Sequence, residues 1–351
     1  MKLASRDRAW PGLRLHRLGL FAIAGFFALQ APSTVAASKS APPPAPSFAE
    51  DAGVIAFARD LEQRHGLNAD HLLEKFAAIR PNPRVLQLIK PPATPQQRSW
   101  ERYRPRFLNE RRIEGGVRFW LQHRDKLARA SAMYGVPEEI IVAIIGVETE
   151  YGKNTGGFRV LEALATLAFH YPPRADFFRT ELEQFLLLSR ENRLDPLAVK
   201  GSFAGAIGIP QFMPGSQRRY AVDFDGDEQI DLSNSLDDAI GSVGRFLEQH
   251  GWQAGKPVAE PVRGNQTPPA ELLDAGIRPS LGLRELRAAG ISNALDEQGK
   301  VALIDLVSPE RDPEYWLGHD NFYVITRYNR SSFYAMAVFQ LAEEIRQRLP
   351  R

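Results

Sequence analysis

From Pro137 to Gly156 the chain reads Pro-Glu-Glu-Ile-Ile-Val-Ala-Ile-Ile-Gly-Val-Glu-Thr-Glu-Tyr-Gly-Lys-Asn-Thr-Gly. Ile141, Ile144 and Ile145 fall at helical spacing, and a step of seven from Ile141 puts Glu148 on the same face. Pro137 suits a first helical turn, and Glu138 and Glu139 complement the positive end of the helix dipole. Gly152, Gly156 and Gly157 end the helix and open a loop. A carboxyl on an apolar face loses water, which raises its pKa toward the range a general acid needs. The competing expectation is a solvated Glu148 at a frayed helix end.

The same periodicity organises the rest of the chain. Ser47-Phe-Ala-Glu has capping-box spacing ahead of Val54, Phe57 and Leu61, and a short helix follows from Asn68 with Leu72, Leu73 and Phe76 on one side. Pro81, Pro83, Pro91, Pro92 and Pro95 predict an extended connector over residues 80–95. Trp100, Tyr103 and Phe107 either pack or line a groove. One long helix is predicted over 109–134, with Ile113, Val117, Trp120, Leu121 and Leu127 inward and Gly135 as its stop. Further helices are predicted over 160–169, 175–190, 235–250 and 331–349. After Lys256, the runs Val301-Ala-Leu-Ile304 and Phe322-Tyr-Val-Ile325 suggest a small β-containing subdomain. The expected class is α+β, mostly α.

Composition changes this picture at the N-terminus. Lys2, Arg6, Arg8, Arg14 and Arg17 precede an apolar run over 18–29, and Val35-Ala36-Ala37 offers a cleavage site. Residues 1–37 therefore read as a secretory signal peptide, too short in its apolar run for a comfortable membrane span, although an uncleaved anchor stays open. Residues 38–46, rich in Ala, Pro and Ser, read as a disordered linker. The leader holds five of the 44 Lys/Arg and one of the 42 Asp/Glu, so the remainder carries 39 and 41. The basic balance thus belongs to the leader, and no nucleic-acid partner is read from it. With no cysteine, the chain has neither a disulfide nor a lipid-modified cysteine, and a soluble periplasmic protein is expected.

Two more stretches carry candidate chemistry. Residues 200–216 hold four glycines and two prolines, which let backbone approach a ligand, with Ser202 and Gln211 as neutral hydrogen-bonding groups. An ordinary buried loop packed by Phe203, Ile207 and Phe212 is the alternative. Asp223, Asp225 and Asp227 occupy positions 1, 3 and 5 of an EF-hand-like loop, Gln229 would offer its carbonyl, and Asp231 stands at position 9. Glu228 stands where such loops carry glycine and Asn234 where they carry glutamate, while Asp237 could close a longer loop. A solvated acidic turn is the alternative. The seven histidines lack zinc-ligand spacing, and no nucleophile elbow, P-loop or dinucleotide fingerprint appears.

Together the Ile-Ile-Gly-Val-Glu-Thr-Glu-Tyr-Gly run, the Ser-Phe-Ala-Gly-Ala-Ile-Gly-Ile-Pro-Gln-Phe-Met-Pro run, the Asp-rich loop and Thr326-Arg-Tyr-Asn-Arg-Ser-Ser-Phe-Tyr-Ala-Met-Ala337 resemble the membrane-bound lytic transglycosylase B family, over residues 47–349. The resemblance implies a lysozyme-like core at 136–255, a helical domain at 47–135, a small β-containing domain at 256–327, and a returning C-terminal helix at 328–351. It assigns the catalytic acid to Glu148, cleft positions to Tyr103, Ser202, Gln211, Tyr328, Asn329 and Tyr334, and calcium ligation to Asp223, Asp225, Asp227, Gln229 and Asp237. It also implies a structural Ca²⁺, no catalytic cofactor, peptidoglycan glycan strands as substrate, cell-wall synthesis proteins as partners, and a monomer. The chemistry implied is cleavage between N-acetylmuramic acid and N-acetylglucosamine with ring closure to a 1,6-anhydro product. A lysozyme-type hydrolase, using Asp195 or Glu162 as second carboxylate, and a non-catalytic wall-binding protein are the competing readings.

Overall fold

The computed structural model describes residues 46–91, 98–263, 267–291, 293, 299–309 and 311–350, so the expected signal peptide and nearly all of the linker lie outside it. Ser47 begins a single 3-10 turn, Phe48–Glu50, and the first helix, α1 (Ala52–His65), starts one step later with Asp51 as its cap. The Asp51 carboxylate accepts from the amides of Gly53 at 2.7 Å and Val54 at 3.3 Å, satisfying two free donors of the first turn. The next helix, α2 (Ala69–Ala77), is capped by Asn68 as its sequence suggests. The expected extended connector over 80–95 is corrected: residues Pro83–Ile89 form α3, with Asn82 as cap and Pro83 at the first helical position. Proline needs no amide partner there, so it starts this helix instead of preventing one. Residues 92–97 lie outside the described part.

Helix α4 (Trp100–Tyr103) leads to a second correction, because the single helix expected over 109–134 is two. α5 (Glu110–Gln122) ends and α6 (Arg124–Tyr134) begins at His123, whose amide bonds the carbonyls of Phe119 and Trp120 and whose ring lies 4.7 Å from that of Phe119. No Gly or Pro marks this corner, so local pattern does not reveal it. Leu121, expected inward, is 41% exposed on the outer side of the corner.

α7 (Glu138–Thr149) is the central helix, and every residue from Ile140 to Val147 is buried. It packs on α5 and, at the far end of the chain, on α15. Burial all round explains its lack of a polar face, with each buried Ile contributing roughly 2 kcal/mol. A two-stranded ribbon pairs β1 (Phe158–Arg159) with β2 (Lys200–Gly201) around the hairpin of α8 (Val160–His170) and α9 (Ala175–Glu191). These two helices share one apolar cluster with α1 to α3, so packing crosses the sequence position 135.

α10 (Pro214–Tyr220) and α11 (Leu236–Gln249) flank the Asp-rich loop. Beyond them lies an antiparallel sheet of order β3-β6-β5-β4, built from β3 (Ala259–Pro261), β4 (Leu281–Gly282), β5 (Lys300–Ser308) and β6 (Arg311–Gly318). Helices α12 (Ala270–Asp274) and α13 (Leu283–Ala288) lie within this segment. The run Phe322–Ile325, expected as β-type, is corrected to helix: it sits in α14 (Asp320–Tyr328), where Phe322 and Ile325 turn into the core. Its β-branched residues follow a helical burial pattern, and tertiary packing outweighs their weak strand preference. α15 (Ser332–Gln347), capped by Ser331, returns to lie along α7. The expected class, mostly helical α+β, is the one observed.

Candidate active site

Glu148 stands on the last turn of α7, half-buried in a row of fully buried neighbours. Its Oε1 accepts from the Tyr334 hydroxyl at 2.6 Å, across from the first turn of α15. Burial pushes the Glu148 carboxyl up to about 7, and the Tyr334 hydrogen bond, which favours the anion, opposes only part of that rise. No charged side chain among the described residues contributes to this shift. The groups that feel the Glu148 charge are tyrosines: Tyr103, Tyr328 and Tyr334 are all raised above the ordinary phenol value, first by burial and then by that carboxylate.

These rings pack around Glu148: Tyr334 is buried at 2% exposure, while Tyr103 and Tyr328 are half-buried. Tyr328 and Tyr334 lie nearly parallel, with centroids 6.4 Å apart, and Tyr103 packs on Phe333 at 5.6 Å and Trp100 at 6.1 Å. Tyr328 donates to the Pro210 carbonyl at 2.6 Å, joining α14 to the glycine-rich segment. In that segment Gln211 adopts a left-handed backbone, φ 51°, and its amide nitrogen donates to the carbonyls of Gly208 at 2.9 Å and Thr155 at 3.0 Å. Ser202 caps the tight turn after β2, its hydroxyl accepting from Ala206 N at 3.0 Å. Asn329 is half-buried next to Tyr328, at the end of α14. Tyr103, Tyr328 and Tyr334 thus converge on Glu148, whereas Ser202 and Gln211 shape the opposite loop.

The end of α7 is unusual in its backbone. Glu150 and Tyr151 are consecutive left-handed residues, φ 52° and 63°, a conformation that disfavours residues with side chains. Tyr151 is held in it by its hydroxyl, which donates to Arg112 O at 2.7 Å, and by the bare surfaces of two glycines. A Cβ on Gly146 would lie 2.6 Å from the Tyr151 oxygen, and one on Gly115 2.8 Å from its ring. Glu150 is buried, turned away from the cleft, and pairs with Arg111 at 2.6 Å. Of the candidate second carboxylates, Glu162 accepts from Asn82 at 2.6 Å and Asp195 from the Leu197 amide at 3.1 Å.

The Asp-rich loop is a separate site. Single oxygens of Asp223, Asp225 and Asp227 lie within 4.8 Å of one another, about the distance across a sphere of calcium–oxygen bonds. Asp223 accepts from the amides of Gly226 at 2.7 Å and Glu228 at 2.8 Å, so the turn is wound around its carboxylate. Glu228 takes the left-handed conformation, φ 68°, that glycine supplies at this place in such loops. Gln229 is exposed at the loop's edge. Asp237 is not gathered with the three: it is ion-paired with Lys126 and lies 3.5 Å from Arg129. Sequence reasoning passed over Asp238, a buried acid that accepts from the amides of Phe224 at 2.8 Å and Asp231 at 2.7 Å and so holds both sides of the loop. Its signal was present in Ser235-x-x-Asp238, the spacing of a helix cap.

A mostly helical fold carrying one carboxyl raised to about 7 among three tyrosines fits the class of lytic transglycosylases. Residues 49–343 match the family model for the transglycosylase SLT domain, and the chain belongs to that family. It is 43% identical over 309 residues to the membrane-bound lytic murein transglycosylase B of Escherichia coli (strain K12), covering 85% of this chain and 84% of that one. The crystal structure of soluble lytic transglycosylase SltB1 from Pseudomonas aeruginosa aligns with a TM-score of 0.78 at 48% identity, over 84% of this chain and 98% of the other. The Escherichia coli lytic transglycosylase Slt35 in complex with calcium aligns with a TM-score of 0.77 at 41% identity, over 87% and 96%.

Proposed function

We propose that this enzyme cleaves the β-1,4 bond between N-acetylmuramic acid and N-acetylglucosamine in peptidoglycan, with Glu148 acting first as acid and then as base. What carries the reading is a single carboxyl raised to about 7 and surrounded by tyrosines. Protonated Glu148 gives its proton to the glycosidic oxygen as the bond from that oxygen to C1 of the muramoyl ring breaks. The positive charge at C1 is stabilised by the muramoyl N-acetyl oxygen, so no second protein carboxylate is required. Glu148, now ionised, takes the proton from the C6 hydroxyl, and O6 bonds to C1. Water does not enter, and the acid is regenerated.

Tyr103 and Tyr328, half-buried, offer ring surface to sugars, and Ser202, Gln211 and Asn329 offer neutral hydrogen-bonding groups; Tyr334, expected to line the cleft, is buried and acts through its hydroxyl on Glu148 instead. Asp223, Asp225 and Asp227, with the Gln229 carbonyl, would hold a Ca²⁺ ion whose contribution is to brace the loop. Asp237, expected in this ligand set, is held by Lys126 and stands outside it. Support comes from the hard-oxygen donor set and from the calcium complex of Slt35. The same reading has the chain exported by its leader to the periplasm, acting as a monomer on glycan strands and meeting cell-wall synthesis proteins there.

Mass spectrometry of products from purified peptidoglycan tests the chemistry. The mature chain should release anhydromuropeptides and Glu148→Gln none. Products one water heavier would replace this mechanism with hydrolysis, and product release by Glu148→Gln would remove Glu148 from its role.

A further inference from the structure

Thr149 follows Glu148 directly and is 1% exposed. Its hydroxyl donates to the Ile209 carbonyl at 2.8 Å and accepts from the Gly152 amide at 3.0 Å. A threonine hydroxyl has one proton to give, and the Ile145 carbonyl, at 3.3 Å, is the poorer acceptor. The side chain next to the proposed acid therefore reaches across to the glycine-rich segment.

That segment has little regular structure of its own. Three consecutive carbonyls are each met by a different side chain: Gly208 by Gln211, Ile209 by Thr149 and Pro210 by Tyr328. Ile209 is held at its other end too, where its amide donates to Leu232 O at 2.8 Å. Gly208 fits against the same carbonyl, since a Cβ there would come within 2.4 Å of it. The segment is thus pinned on one side to the Asp-rich loop and on the other to α7.

We infer that Thr149 is a positioning residue, whose hydroxyl ties the end of the Glu148 helix to the glycine-rich wall and sets the carboxyl's place against the sugar. The inference rests on Glu148 being the acid. Replacing the hydroxyl by a methyl leaves the buried Ile209 carbonyl and the half-buried Gly152 amide without this partner, and such groups recruit water or shift. Either response moves the last turn of α7, and displacements near 1 Å cost on the order of 100-fold in turnover.

The experiment compares Thr149→Val, Thr149→Ser and Thr149→Ala with Glu148→Gln in the mature chain. It measures kcat and KM on soluble glycan strands from pH 5 to pH 9, with the folded fraction read by near-ultraviolet circular dichroism. Expected is a fall of about 10- to 100-fold in kcat per folded molecule for the Val and Ala variants, with KM little changed. Their upper pH limb should move acidward as water reaches Glu148, and Ser should restore both properties. Three results overturn the inference: wild-type kcat in Thr149→Val, a loss matched by the lost folded fraction with an unmoved pH limb, or equal loss in Thr149→Ser. If the Val variant does not fold, the Ala variant carries the same comparison. Wild-type turnover in Glu148→Gln would instead overturn the reading of the acid; an inactive Glu148→Gln beside an active Thr149→Val overturns the tie alone.

Discussion

Glu148 and the Asp223–Asp227 cluster put the same functional group to opposite uses. Glu148 is one carboxyl to whose shift no charged side chain among the described residues contributes, and burial raises it to about 7, so it is about half protonated at neutral pH. In the loop, three carboxylates are gathered within 4.8 Å on an exposed turn, where solvent and inward-pointing amides support the anions. The first arrangement suits moving a proton, the second suits holding a hard cation. Surroundings set the role more than residue type does. The pairing of Asp237, in the first turn of α11, with Lys126 marks the boundary, because protein neutralises that acid.

The largest test of this contrast is removal of each carboxyl in turn. Glu148→Gln should lower turnover by about 10³-fold, equivalent to about 4 kcal/mol of barrier, whereas Asp227→Asn should leave turnover near wild type in excess calcium. Equal losses from both would erase the distinction. Calcium should produce the next largest effect. At a free concentration a hundred times its dissociation constant it adds about 2.7 kcal/mol of stability, read as a Tm that falls with EDTA and recovers with calcium. An unchanged Tm would leave the loop a solvated acidic turn.

The pH dependence of stability is smaller and has a definite sign. Glu148 binds its proton more tightly folded, at about 7, than at its ordinary value of 4.5, so stability falls as pH rises between them. The cost of the buried anion is complete above pH 7. With allowance for its partial exposure, Glu148→Gln should gain on the order of 2 kcal/mol at pH 8 and nothing near pH 4, measured by denaturant unfolding. A gain independent of pH would place its origin in packing. The alkaline limb of kcat/KM should likewise fall through about pH 7. The smallest effect is at Tyr334. Its hydroxyl favours the anion, so Tyr334→Phe should move that limb upward and cost about tenfold in kcat/KM, or about 1.4 kcal/mol. A downward shift would mean that the hydroxyl acts on the protonated form.

Much of this molecule is legible in short stretches of chain. The helix at Glu138–Thr149, the caps at Asn68 and Ser331, the spacing of Asp223, Asp225 and Asp227, and the apolar step that places Glu148 all follow from contacts within a few residues. Pro83 could have been read as a helix start behind Asn82; a cluster of prolines masked a local rule. The corner at His123 and the helical state of Phe322–Ile325 were not legible, because packing from distant elements decided them. The site divides in the same way. Sequence by itself determined which residue could be an acid and which loop could hold a cation, since both depend on periodicity and residue chemistry. Only the tertiary structure decided that Tyr334, 186 positions away, would donate to Glu148, that Asp237 would face Lys126, and that Thr149 would reach Ile209. Those contacts are set by how α7, α15 and the loops pack, and side chains distant in sequence carry no mutual spacing from which such approach can be read.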